Sequence, residues 1–476
     1  MRKKARLQLI TEEDYPRIHE ASLKVLEQTG IIFHHQETLD LFKKHGAKVN
    51  GNIVYFSREM VEGALRTAPN TFKFCGRNGS KSLMVGQEQD VVIGANVGPV
   101  FVQDTDKGQR RGKLEDYSNF QKIFQASNVF NVSGSNPIDP SDVDANYQHL
   151  YMMYEAIKHT DKPLSGWTIA GNQVQEVFDM IEITMGKKGI LQDNVYIASL
   201  VDSLSPLAWS SESCETIINF AKNRQVVCLA PASMTGITAP ITPLGASVMQ
   251  NSETLSGIVL TQLVNPGCPV IYGACSSPGN MRKCSFVAGS PQMMLINIPN
   301  VQMGTKFYKL PVRNMCGPSD SKQVDIQAGI ETTQNLMGGV LSGVDWLGST
   351  VGILQSVLTT SFEKVIIDQE TISRVMCIRD GIDTSDEALS VDLINEVGHT
   401  GTYLQHPSTF KHFKNNWLPS ISNWDSYEEW KEKGSEDIVV NANKKFKEIL
   451  ANAPEMLIDS ELDKDLKAYM KKAMEK

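Results

Sequence analysis

Between Pro311 and Glu331 the sequence PVRNMCGPSDSKQVDIQAGIE passes from a short apolar run, through a break at Gly317 and Pro318, into a polar segment that opens a helix. Ser319 or Asp320 is placed to cap that helix, whose first turn leaves backbone N–H groups free to meet an anion. One such strand-to-helix junction is ordinary, but this chain repeats the rhythm about eight times, which constrains it to a parallel strand–helix architecture with its loops gathered at one end. The candidate strands are VVIG or PVFVQD within 91–104, then FNVSGS at 130–135, PLSGW at 163–167 and VYIASL at 195–200. The second half adds VVCLAP at 226–231, PVIYGA at 269–274, LPVRN at 310–314 and VDWLGS at 344–349. Runs such as VVCLAP are continuously apolar, as strands covered on both faces are. Helical spacing fills the gaps at Glu115–Ser127, Asn172–Met185 and Asn251–Val264.

The fold expected is therefore α/β, a (β/α)8 TIM barrel over 89–390. Residues 1–88 read as a helical N-terminal cap with short strands, and 391–476 as a C-terminal extension that returns over the barrel and ends in surface helices. A chain of 476 residues with 41% hydrophobic content can bury one large core of this kind. Its formal charge of −8 is spread among interleaved acids and bases, which argues against nucleic acid as a partner. The basic tip MRKKAR meets Glu12, Glu13 and Asp14 before any apolar stretch, so no signal peptide is read and a cytoplasmic location is expected. No apolar run approaches the roughly 18 residues of a membrane span. The eight cysteines are scattered without zinc-ribbon or CxxC spacing and read as reduced, mostly buried thiols. HExxH, GxGxxG, the phosphate P-loop, GxSxG and the cobalamin signature DxHxxG do not occur, so no metal or cofactor is expected on the chain itself.

Five collinear segments carry a resemblance. They are GPVFVQDTDKGQRRGKLEDY at 98–117, APASMTGITAPITPLG at 230–245, YGACSSPGNMRK at 272–283, RNMCGPSDSKQVDIQAGIE at 313–331 and GHTGTYLQHPSTFKHF at 398–413. With them the chain resembles the trimethylamine methyltransferase family, specifically its members without pyrrolysine. That resemblance implies a barrel enzyme that hands a methyl group from a quaternary amine to the cobalt of a separate corrinoid protein. The cobalamin would then be carried by that partner. Pyrrolysine-containing relatives hold that residue in the region matching 313–322, where this chain has ordinary residues. The implied substrate is thus a pre-charged amine such as glycine betaine, proline betaine or carnitine rather than trimethylamine. A lyase or aldolase barrel, or a non-catalytic betaine-binding subunit, are the alternatives; the first would normally show a catalytic lysine or metal ligands at strand ends. Homo-oligomerisation is left open.

A quaternary ammonium has no N–H to donate, so aromatic faces must recognise it, each contributing about 0.5–2 kcal/mol. Strand ends and their neighbourhoods offer Trp167, Trp209, Tyr272, Trp346 and Phe362, although an aromatic near a strand more often serves packing. Arg313 is the candidate grip for a carboxylate, with Arg282, Lys322 and the helix starts after Gly236 and Gly317 as alternatives. Asp320 and Asn314 are the candidate catalytic residues, Asp320 either balancing the ammonium or capping its helix. His399, and with it His406, could reach the mouth from the glycine-rich return segment.

Overall fold

The computed structural model describes residues 2–475 apart from 4, 88, 96 and 170. Eight parallel strands form one sheet: β1 (Val92–Ile93), β2 (Ser133–Gly134), β3 (Leu164–Ser165), β4 (Ile197–Val201), β5 (Val226–Leu229), β6 (Val270–Ala274), β7 (Val312–Met315) and β8 (Trp346–Gly348). They follow one another in chain order, and β8 pairs with β1 through Trp346 and Val92. The ring is completed where Asn131 N–H donates to Ile93 O at 3.0 Å and Gly98 N–H to Asn136 O at 3.0 Å. The architecture is thus the expected (β/α)8 barrel, and every one of the eight apolar runs supplies a strand. In the first run the strand is VVIG. PVFVQD belongs elsewhere, since Phe101–Asp104 pairs with Gly108–Arg111 and Thr359–Ser361 in a small sheet beside the barrel.

Each strand feeds a helix: α1 (Leu114–Ala126), α2 (Gln148–His159), α3 (Asn172–Met185), α4 (Ser211–Lys222), α5 (Pro243–Val264), α6 (Pro291–Gln302), α7 (Ile326–Leu341) and α8 (Phe362–Asp380). Four of them start on a residue whose side chain accepts a first-turn N–H: Ser210, Ser290, Asp325 and Ser361. The cap of α7 is therefore Asp325, not Ser319 or Asp320. Those two stay in a long loop, and the helix opens well beyond Gly317.

The helix α5 is buried on nearly all sides because the N-terminal helices Asp14–Gln28, Gln36–Lys44 and Arg58–Thr67 pack against it. Polar residues in that seam are satisfied, as where Asn251 Nδ2 donates to Ser22 Oγ at 2.8 Å and to Tyr308 Oη at 2.9 Å. An antiparallel hairpin, Thr71–Phe74 with Leu83–Gly86, closes the N-terminal end of the barrel; Cys75 N–H donates to Val195 O, and the Phe74 ring lies 5.7 Å from that of Trp346. Helix Ile438–Asn452 packs on α8 and α1, and helix Ser460–Met474 on α3 and α2. No helix among the described residues is long and apolar enough to cross a membrane.

Candidate active site

Alternation along each strand decides what enters the barrel. Arg313 on β7 stands opposite Gly273 of β6 and Trp346 of β8, and these positions face inward. Arg313 is 5% exposed. Its Nη1 donates to Cys275 Sγ at 2.9 Å and its Nη2 to Ser349 Oγ at 3.1 Å. The guanidinium lies across β8, since a Cβ added at Gly348 would sit 2.0 Å from Arg313 Nε. Arg313 shares a narrow interior space with Gly94, Ser165, Leu200, Cys228 and Trp346. Burial pushes the Cys228 thiol up to about 12 and raises that of Cys275, so both stay neutral. Among the described residues, no carboxylate lies within ion-pair distance of this buried cation.

The acid that feels its field is Asp202, the first residue beyond β4. Two steps along β4 from the inward Leu200, it lies at the mouth end of the strand, exposed at the surface although the surrounding protein desolvates its carboxyl. That desolvation pushes Asp202 up to about 6, with Arg313 pulling the other way. The loop carrying Asp202 is fastened by Glu253 of α5, whose carboxylate accepts from Ser203 Oγ at 2.6 Å, Ser205 Oγ at 2.8 Å and Leu207 N–H at 2.7 Å. Sequence reasoning passed over Asp202, although an aspartate directly after the apolar ASLV is the signal of a strand end facing the mouth.

Other mouth loops are tied the same way. Asp320 accepts from Ala288 N–H at 3.0 Å, Gly289 N–H at 2.9 Å and Ser356 Oγ, so it joins the loops after β6, β7 and β8. Glu331 accepts from Ser319 Oγ and Asp320 N–H, and Asp368 from Gly352 N–H and Lys364 Nζ. These acids act on the frame of the site, and the positions that Asp320 fills with protein donors are not free for an ammonium.

Among the predicted residues, the structure brings Arg313 and Trp346 together inside the barrel. Trp167 follows Ser165 of β3 at the mouth and is partly buried. The other aromatics are corrected in place. Tyr272 alternates outward and hydrogen-bonds Asn251 and Asn300 on the helices behind the sheet. Trp209 donates its indole N–H to Ser256 Oγ on α5, and Phe362 stacks between Phe120 and Phe446. Asn314 also points outward, toward α7, where its side-chain nitrogen would be 3.5 Å from a Cβ at Gly339 and its amide has no hydrogen-bond partner. His399 is exposed on a segment rooted at the other end of the barrel, and His406 there caps Ser408. Arg282 and Lys322 are exposed.

The model of the family described as trimethylamine methyltransferase (MTTB) matches residues 1–476. A glycine betaine methyltransferase of Desulfitobacterium hafniense (strain Y51) is 33% identical over 97% of this chain and 96% of its own. A proline betaine:corrinoid methyltransferase of Eubacterium limosum is 33% identical over 87% of both chains. Among solved structures, the monomethylamine methyltransferase (MtmB) of Methanosarcina barkeri aligns over 95% of this chain and 90% of its own with a TM-score of 0.54 at 9% identity, a likeness of fold alone.

Proposed function

The chain belongs to the trimethylamine methyltransferase family, and from that membership we propose that it moves a methyl group from a carboxylate-bearing quaternary amine, of the glycine betaine, proline betaine or carnitine type, to a separate corrinoid protein. The observation that carries the carboxylate is Arg313. A guanidinium buried without an anion is costly, and a bound carboxylate removes that cost while matching its fork-like donors. Asp202 stands across the mouth from it with opposite charge, and the two are too far apart to pair. A zwitterion laid between them puts its carboxylate on Arg313 and its ammonium beside Asp202, with the partly buried Trp167 as the aromatic side chain at that end of the barrel.

The chain's residues then have only to bind and aim. The reduced cobalt of the partner supplies the nucleophile. The N–CH3 bond breaks with both electrons left on nitrogen, so a neutral tertiary amine departs and no side chain need give it a proton. Holding the methyl group toward the opening, with its other substituents turned inward, is therefore the protein's main contribution to rate. The rim carries exposed Leu204, Ile241, Met281 and Leu358, an apolar collar suited to a transient protein partner.

The test is methyl transfer to a reduced corrinoid protein with a panel of betaines and with tetramethylammonium, which has no carboxylate. Betaines are expected to exceed tetramethylammonium at least tenfold in kcat/KM for the native chain, and Arg313→Met is expected to erase that preference. Equal turnover of both classes by the native chain would refute the carboxylate grip, and no turnover of any quaternary amine would refute the function.

A further inference from the structure

The mouth end of β2 is buckled. Gly134 has a φ of 76° and Ser135 a φ of 63°, both in the left-handed region, which a serine enters only under strain. The buckle is held from behind by α1. Gln121 Nε2 donates to Gly134 O at 2.9 Å, Gln121 Oε1 accepts from Gly134 N–H at 2.9 Å, and Tyr117 Oη donates to Ser135 O at 3.1 Å. Both clamping side chains are fully buried. Strain over-determined by its surroundings in this way is a mark of a functional position.

The residue that the buckle presents is Asn136. Its backbone O accepts from Gly98 N–H at 3.0 Å, and it lies opposite Val97 in a parallel bridge. Paired residues of a parallel ladder point to the same face, and Val97 lines the interior space that also holds Arg313. The Asn136 side chain is therefore directed inward. Its Oδ1 is buried without a hydrogen-bond partner, and among the described residues its Nδ2 donates to no group. A shielded amide left unbonded is unfavourable and calls for a reason. Asp320 and Glu253 tie loops with their side chains, whereas Asn136 ties nothing.

Register sets its neighbours. Gly134 pairs with Ser165, and Ser165 with Ala198. Two residues further along these strands come Asn136, Trp167 and Leu200, with Asp202 beyond Leu200 on the same strand. Adjacent strand ends thus bring an amide, an indole and a carboxylate to the side of the mouth where the binding mode described above puts the methylammonium. A quaternary nitrogen has no N–H, so the charge spread over its methyl groups is met by aromatic faces and dipoles instead of hydrogen bonds. An amide bonded at neither end suits that task. The χ2 torsion of asparagine is broad, so a half-turn exchanges Oδ1 and Nδ2 and lets the dipole follow the charge set before it.

We propose that Asn136 contacts the substrate, turning its amide oxygen onto the N-methyl groups of the amine and completing, with Trp167 and Asp202, the site for the quaternary ammonium. The proposal rests on the betaine reading above and adds to it an uncharged partner for the cation.

Equilibrium binding of glycine betaine and of tert-butylacetate tests it on the full chain. The second compound has carbon in place of nitrogen, so the two share shape and carboxylate and differ in the ammonium charge. Asn136→Leu, similar in size and without a dipole, is expected to weaken betaine binding about fivefold, the size of one or two C–H···O contacts, and to change tert-butylacetate binding less than about twofold. Arg313→Met, by contrast, should weaken both ligands alike. Circular dichroism checks folding, and Asn136→Ala replaces the leucine variant if that one does not fold. Equal losses of both ligands at Asn136 would assign it to the frame or to the carboxylate grip, and unchanged betaine binding would leave its amide without a role; either result overturns the proposal while the betaine reading stands. A native chain that binds neither ligand refutes that reading, and this proposal with it.

Discussion

The two ends of the barrel handle positive charge in opposite ways. At the mouth a single guanidinium, Arg313, is sunk into the interior and held by a thiol and a hydroxyl, while the loops above are fixed by Glu253, Asp320, Glu331 and Asp368. At the base four cations ring an open recess, and its carboxylate, Asp345, is pushed up to about 7 by burial. Glu253, Asp320 and Glu331 are spent on backbone N–H and hydroxyl donors and Asp368 on Gly352 N–H and Lys364, which leaves the buried Arg313 without a carboxylate partner. At the base Arg6, Lys306 and Lys309 are exposed to solvent, whereas Arg379 is buried and paired with Asp380.

The sharpest way to break this contrast is at Arg313. Arg313→Met is expected to lower kcat/KM for a betaine at least a hundredfold, about 2.7 kcal/mol, while the melting temperature holds or rises because an unpaired buried charge has been removed. A large fall in melting temperature would instead make Arg313 part of the frame. Next in size is Asp202→Asn, expected to weaken betaine binding about tenfold, or 1.4 kcal/mol. The native chain should lose betaine affinity as pH falls through about 6, where Asp202 takes up a proton, and the variant should not. Because methyl transfer itself moves no proton, that limb belongs to binding and should be absent from the transfer step measured at saturation. A bell-shaped profile in the transfer step would contradict this division of labour.

Asp345→Asn probes the base. Its folded value near 7 lies above the unfolded one, so its stabilising contribution is complete below about pH 4 and is lost as pH rises through 7. The amide mimics the protonated acid and its oxygen still accepts from Val312 N–H, which Asp345 Oδ2 takes at 2.9 Å. At pH 8 the variant should be more stable by on the order of 2 kcal/mol, a gain that vanishes near pH 4, with turnover unchanged. Thermal melts across that range decide it. Smallest of all, Lys322→Ala removes an exposed contact to Asp320 O and should change stability by less than about 0.5 kcal/mol and betaine turnover not at all. A lost preference for betaines in that variant would move the carboxylate site out of the barrel.

The fold was legible because a parallel strand covered on both faces must be apolar throughout, and eight such runs stand out from their polar flanks. Parity within the runs was not. In VIYGA the large tyrosine invites an inward reading, but the register with Val312 and Leu229 turns Tyr272 outward and leaves Ile271 and Gly273 inside. The same parity put Arg313 in the barrel and its neighbour Asn314 behind it. Nor could the sequence show the loop ties, since Glu253 meets Ser203 across fifty residues and Asp320 meets Ala288 across thirty-two. The glycine-rich segment 398–413 misled for a different reason. It reads as a return over the barrel that brings His399 to the mouth, and only the direction of α8, which carries the chain away from the mouth, assigns its root to the far end.

Gly348 touches no ligand in this reading, yet it determines where the guanidinium rests. With a hydrogen in place of a methyl group, β8 lets Arg313 lie flat across it; an alanine there would collide at Nε and displace the guanidinium. On the proposed binding mode, the gap between Arg313 and Asp202 acts as a ruler for the separation of carboxylate and ammonium in the amine. Its graduation is written on a neighbouring strand. Relatives that handle longer or shorter zwitterions have a route to recalibrate that ruler through this position while keeping both charged ends unchanged.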